Sequence, residues 1–126
     1  MKKEKDQWIE AIAKLTKMTQ ENDLVWSIGE LPEFFKIEKT VEMVYITKYK
    51  DKILRIYETR VKEYAFDLFT IRKEFTWTTR TVLDFIEPSG VSLWTFPEVQ
   101  GLNNLLNAVK FQVAKVKDFM KDLLNE

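Results

Sequence analysis

The chain has 126 residues, with 20 Lys plus Arg against 20 Asp plus Glu, no His, no Cys, 45% hydrophobic and 13% aromatic residues. Balanced charge removes any whole-molecule attraction for nucleic acid or an anionic membrane; the missing His and Cys remove the commonest general base, the thiolate nucleophile, disulfides and most zinc or copper ligand sets. Too apolar to stay disordered, and with no apolar run near the ~20 residues that span a bilayer, it reads as one α+β domain over residues 1–126, expected in the cytoplasm.

In chain order, Lys2 to about Gln20 has helical spacing, with Trp8, Ile9, Ile12, Leu15, Thr16 and Thr19 on one side and Glu10 placed to pair with Lys14 on the other. Residues 21–38 form a connector punctuated by Gly29 and Pro32 but rich in Leu24, Val25, Trp26, Phe34 and Phe35, so it has to pack. Trp26 is expected to begin a short edge strand, and Pro32 to Phe35 one helical turn.

Thr40 to Tyr49 and Ile53 to about Arg60 are dominated by β-branched and aromatic residues and read as a hairpin. A three-residue loop, Lys50-Asp51-Lys52, pairs Tyr49 with Ile53. Val44, Ile46, Leu54 and Ile56 then share one face, and Met43, Tyr45, Thr47, Tyr49, Arg55 and Tyr57 the other. A two-residue loop mixes these sets, and no Asn-Gly or Asp-Gly supports it. The seven basic residues among 39–62 read as charge protecting strand edges. Val61 to Thr79, with Tyr64, Phe66, Leu68, Phe69, Ile71, Phe75 and Trp77 and neither Gly nor Pro, is expected to hold one further strand from about Ala65 to Ile71; a short helix over 62–68 is the alternative.

Glu87-Pro88-Ser89-Gly90 is turn chemistry between two strands. Pairing Glu87 with Val91 puts Leu83, Phe85, Val91 and Leu93 on one face. Thr95-Phe96-Pro97-Glu98 has the form of a capping box, with Trp94 and Val99 as its hydrophobic staple, so a helix is expected from Thr95. Gly101 then implies either a separate first turn or close packing. Leu102, Leu105, Leu106, Val109, Val113, Val116, Met120 and Leu123 recur at helical spacing and predict one long C-terminal helix, with Phe111 turned toward its polar side.

The expected fold is therefore α+β: an antiparallel sheet of four or five strands built from hairpins, with an N-terminal helix and a long C-terminal helix packed on one face. The segments KLTKMTQENDLVW, YITKYKDKILRIYE and VLDFIEPSGVSLWTFPEVQGLNNLLNAV together resemble small bacterial and mobile-element proteins of unknown function with a helix, sheet, helix layout. The resemblance implies a fold and carries no functional motif.

No catalytic or metal site can be assembled, and the scattered glycines Gly29, Gly90 and Gly101 form no phosphate loop, so no cofactor is expected. The aromatic content points to binding instead. Candidate binding residues are Met43, Tyr45, Tyr49, Arg55 and Tyr57 on the second sheet face, with Trp77 and Trp94. The expected role is a non-enzymatic module engaging a protein partner, or a second copy as a homodimer, because two helices shield only one face of such a sheet. The alternative is a pocket for a small apolar or cationic ligand lined by Tyr45, Tyr57, Trp77 and Trp94, with Glu42 or Asp84 orienting a cation. Single-stranded nucleic acid is a third reading, weakened by neutral charge, and no membrane association is expected.

Overall fold

The computed structural model describes residues 3–69 and 72–125. It is α+β, with four helices and a five-stranded antiparallel sheet in the order β1-β2-β3-β4-β5. Helix α1 spans Glu4–Gln20; the expected start at Lys2 lies outside the described residues. Thr16 and Thr19 donate their hydroxyls to the carbonyls of Ile12 and Leu15, which lets polar side chains sit on the packed side of a helix. Asn22, at a positive φ of 61°, ends it, and the amides of Asp23 and Leu24 both reach the Met18 carbonyl.

The connector supplies β1 (Ser27–Ile28), just after Trp26, and α2 (Glu33–Glu38), longer than the single expected turn. Gly29 passes so close to β2 (Val44–Tyr49) that a Cβ there would lie 2.9 Å from Ile46 Cγ2.

Strand β2 turns into β3 (Lys52–Asp67) through two residues, with Tyr49 opposite Lys52, not Ile53. Lys50 takes the positive φ, 55°, that such a turn demands of its first central residue. The expected sets are therefore mixed, as the two-residue loop requires. Tyr45, Thr47, Leu54 and Ile56 share one face with Leu83, whereas Val44, Ile46, Arg55 and Tyr57 share the other with Asp84.

The described residues of 61–79 form neither a lone strand nor a helix; they lie on the two sides of a long hairpin between β3 and β4 (Arg72–Ile86), and the expected strand end at Ile71 lies outside the described residues. Strand β2 reaches only to Tyr57, and β5 (Ser92–Thr95) pairs only with Asp84–Ile86. Glu58–Asp67 and Arg72–Thr81 thus pair with each other and project as a two-stranded arm about 30 Å long. Near its base it is tied to the body where the Arg60 amide donates to the Thr40 carbonyl.

The β4–β5 hairpin turns at Pro88-Ser89-Gly90 with the Glu87 amide bonded to the Val91 carbonyl, but a bulge places Trp94, not Leu93, opposite Phe85. Val91 and Leu93 consequently face solvent. The capping box starts no helix: Thr95 ends β5, Glu98 pairs with Arg80 at 3.5 Å, and α3 begins only at Leu102, capped by Gly101 at φ 104°. The C-terminal helix is also two helices, α3 (Leu102–Val113) and α4 (Val116–Leu124), separated by Lys115 at φ 54°. Val109 is fully buried in α3, while α4 buries no residue.

One core cluster joins Ile12 of α1 and Leu102, Leu105, Leu106 and Val109 of α3 to Tyr45, Leu54, Ile56 and Leu83 of the sheet. A second, on strand positions of opposite parity, holds Val41, Val44 and Tyr57 beneath Leu31, Phe35 and Val82. The second face is thus covered by the connector and α2, so the exposed Met43, Tyr45 and Tyr57 patch expected to bind a second copy does not form.

Candidate interaction surface

The seven residues singled out from the sequence separate into several places. Arg55 and Asp84, directly opposite across β3 and β4, form a 3.2 Å ion pair with side chains 5% and 2% exposed. Arg55 also donates from Nη1 to the Gly90 carbonyl at 2.9 Å, and its guanidinium lies within 6 Å of the Phe35 and Tyr57 rings. Burial pushes the Tyr57 phenol up to about 12, Asp84 adding in the same direction and Arg55 opposing. Burial also raises Tyr45. Closed to solvent, this cluster pins the β4–β5 turn to the sheet and presents nothing to a ligand.

Trp94 packs among Phe85, Phe96 and Trp8, with ring centroids 5.2 to 5.9 Å away, where it covers the end of the core beside α1. Tyr49 is exposed beside Lys50 at the β2–β3 turn. Met43 and the edge of Tyr45 line a cleft of about 280 Å³ with Glu42, Glu58, Arg60, Thr79 and Lys110. Tyr45, Tyr57, Trp77 and Trp94 do not meet, so the aromatic pocket expected from them is not formed by those residues.

Trp77 belongs to a surface that extends from this cleft along the arm. Strand alternation places Arg60, Lys62 and Tyr64 of β3 and Phe75, Trp77 and Thr79 of β4 on one face. Tyr64, Phe75 and Trp77 are 59%, 50% and 52% exposed, yet they touch in a row, with centroids 6.1 Å apart for Tyr64 and Phe75 and 6.4 Å for Phe75 and Trp77. The Lys62 ammonium stands 4.7 Å from the Phe75 ring and 5.1 Å from that of Trp77, and the Arg60 guanidinium 5.6 Å from Trp77. These contacts lay the long cationic side chains against the rings, giving a strip that can offer both apolar area and positive charge. The opposite face of the arm carries Thr59, Val61, Glu63, Glu74, Thr76 and Thr78.

Arg60, Lys62, Tyr64 and Phe75 were not among the candidates read from sequence. Their signal was period-two alternation within 60–64 and 75–79, hidden because neither Gly nor Pro marks a reversal anywhere between them.

A separate open groove of about 640 Å³ lies between the C-terminal part of α1 and α3, lined by Thr16, Asn22, Asn107, Phe111 and Asp118 among others. Its wall is held by Gln112: the Trp26 amide donates to Oε1 at 2.7 Å, and Nε2 donates to the carbonyls of Leu24 and Thr19 at 2.8 and 2.9 Å. Phe111, expected off the apolar stripe, stands half exposed on this groove. Among the described residues no helix is long and apolar enough to cross a membrane.

No protein-family model, curated protein or solved structure matches the chain. Residue roles therefore rest on the geometry alone.

Proposed function

We propose that this chain is a non-enzymatic binding module that engages a protein partner through the aromatic and cationic face of the β3–β4 arm. The observation that carries the reading is the contiguous row of Tyr64, Phe75 and Trp77, half exposed and flanked by Arg60 and Lys62. A monomer gains nothing in its own core from such a row, whereas Trp, Tyr and Arg are the side chains that dominate protein interfaces. The cleft around Met43 extends this surface at the arm's base.

Excision is the direct test, because among the described residues none of the core residues lies between Arg60 and Thr79. Replacing residues 62–77 by Asn-Gly closes the hairpin between Val61 and Thr78, which already face each other. The shortened chain is expected to keep its melting temperature within a few degrees and to lose a partner identified by crosslinking and reconstituted from purified components. Equal affinity of that partner for the shortened chain refutes the arm as the contact. Turnover by the purified protein, abolished by replacing one carboxylate, refutes the non-enzymatic reading.

The placement of Lys62 over two rings favours single-stranded nucleic acid as the second reading. Fluorescence anisotropy with a labelled oligonucleotide at two salt concentrations separates it: salt-sensitive binding lost on excision selects nucleic acid over protein.

A further inference from the structure

The outer edge of β4 is open along the arm from Arg72 to Thr79. The Phe96 amide donates to the Leu83 carbonyl at 2.8 Å, and among the described residues no strand lies beside β4 from Arg72 to Val82. In an antiparallel strand, alternate residues direct their N–H and C=O to the same edge. Leu83 points outward, so Thr81, Thr79, Trp77 and Phe75 do too. Exposed edges are ordinarily blunted by charge, proline or a bulge. The outer strand on the other side of the arm follows that rule, with Arg60, Lys62 and Glu63 in Arg60–Ala65. Phe75-Thr76-Trp77-Thr78-Thr79 has no charge, no proline and high strand propensity.

We propose that this edge pairs antiparallel with the same edge of a second copy, about a two-fold axis through Trp77. The proposal rests on the reading of the arm as the contact element and names a second copy as its occupant. Toward its base this edge is crowded: Thr81 is buried and donates its hydroxyl to Asn103, and Arg80 pairs with Glu98. Charge centres the pairing on Trp77. Glu74 and Arg80 stand three residues on either side of Trp77, so each Glu74 meets the partner's Arg80, twice per dimer.

Neighbouring registers lose this match. Sliding by two residues sets Glu74 against the partner's Thr78 or the partner's Val82, and a one-residue slide turns the backbone groups away from each other. In the centred register Trp77 exchanges both hydrogen bonds with its counterpart and Thr76 faces the partner's Thr78. The indoles adjoin on the face that Arg60 and Lys62 cover, and the two sheets become one. Arg80, 48% exposed beside Glu98, remains accessible on the opposite face.

Sedimentation velocity on the full chain, from roughly 1 to 200 micromolar, tests the pairing in the range expected of a small interface. The mass is expected to rise from one chain to two. Glu74→Arg and Arg80→Glu are each expected to weaken association roughly tenfold, since each reverses two pairs, and their combination to restore it. Thr79→Pro removes an outward N–H without touching the β3 pairing and is expected to abolish the dimer while leaving the circular dichroism unchanged. A one-chain mass throughout, or single charge reversals that the double reversal does not rescue, overturns the proposal. If the chain stays monomeric yet still needs its arm to bind a partner, only the dimer is refuted; a partner indifferent to arm excision refutes the underlying reading instead.

Discussion

Replacing Asp84 by Asn keeps the side-chain shape and removes one charge from a pair in which both members are almost wholly buried, at 5% and 2% exposure. At 3.2 Å the gross attraction is about 5 kcal/mol for an effective dielectric near 20. Breaking one side of a buried pair typically costs about 3 to 5 kcal/mol, chiefly because the surviving charge is stranded. Arg55 keeps the Gly90 carbonyl and its position near the Phe35 and Tyr57 rings, which favours the lower end, about 3 kcal/mol. In urea, with a slope of roughly 2 kcal/mol per molar for a chain of this size, the midpoint should fall by about 1.5 M. The double replacement Arg55→Met with Asp84→Leu leaves no stranded charge and should return to within about 1 kcal/mol of the parent. A loss below 1 kcal/mol for Asp84→Asn, or a double variant as unstable as the sum of its singles, would refute the assignment of this pair as a coupled buried element.

Tyr57, pushed up to about 12 from an ordinary value of 10, holds its proton more tightly folded than unfolded; its contribution is complete below pH 10 and is lost as pH rises through 12. Urea unfolding between pH 9 and pH 12 should show a decline of up to roughly 2 to 3 kcal/mol that Tyr57→Phe removes. Gln112→Glu keeps the acceptor for the Trp26 amide but loses the donors to Leu24 and Thr19, so hydrogen exchange across residues 22–26 should accelerate, with stability lower by about 1 to 3 kcal/mol; unchanged protection would show that the clamp is not needed. Lys50→Gly relieves a side chain held at φ 55° and should raise stability by about 1 kcal/mol in thermal unfolding, whereas a decrease would mean that Lys50 makes contacts outweighing its backbone cost.

The hairpin around Lys50 was readable as a hairpin, because Val44–Tyr49 and Ile53–Tyr57 are made of residues that fit a pleated surface. Its register was not: the turn places a lysine where glycine or asparagine would have announced it, and a slip of one residue put Tyr45 and Tyr57, expected together, on opposite faces. Thr95 and Glu98 had the local chemistry of a helix cap, but Asp84 holds Thr95 as a strand residue and Arg80 takes Glu98, so tertiary partners overrode it. The open second face was inferred by counting helices, and Phe35 and Leu31 of the connector cover it instead. Trp77 alone among the interaction-surface residues on the arm was named in advance as a binding candidate; its neighbours joined it only once the turn after Asp67 folded the aromatic run back on itself.

The sheet is a meander, every strand paired with its neighbour in sequence, so its hairpins can close within a short length of chain. The core cannot. Ile12, Leu54, Ile56 and Leu83 wait for Leu105 and Val109, and Trp26 waits for Gln112 across 86 residues. The strands can therefore pair while their larger apolar face is still bare, and α1, although Trp8 reaches Trp94 and Phe96, lacks its main partner until α3 docks. A chain whose hairpins have closed while α3 is still undocked is the molecule at its most adhesive, and docking of α3 ends that exposure.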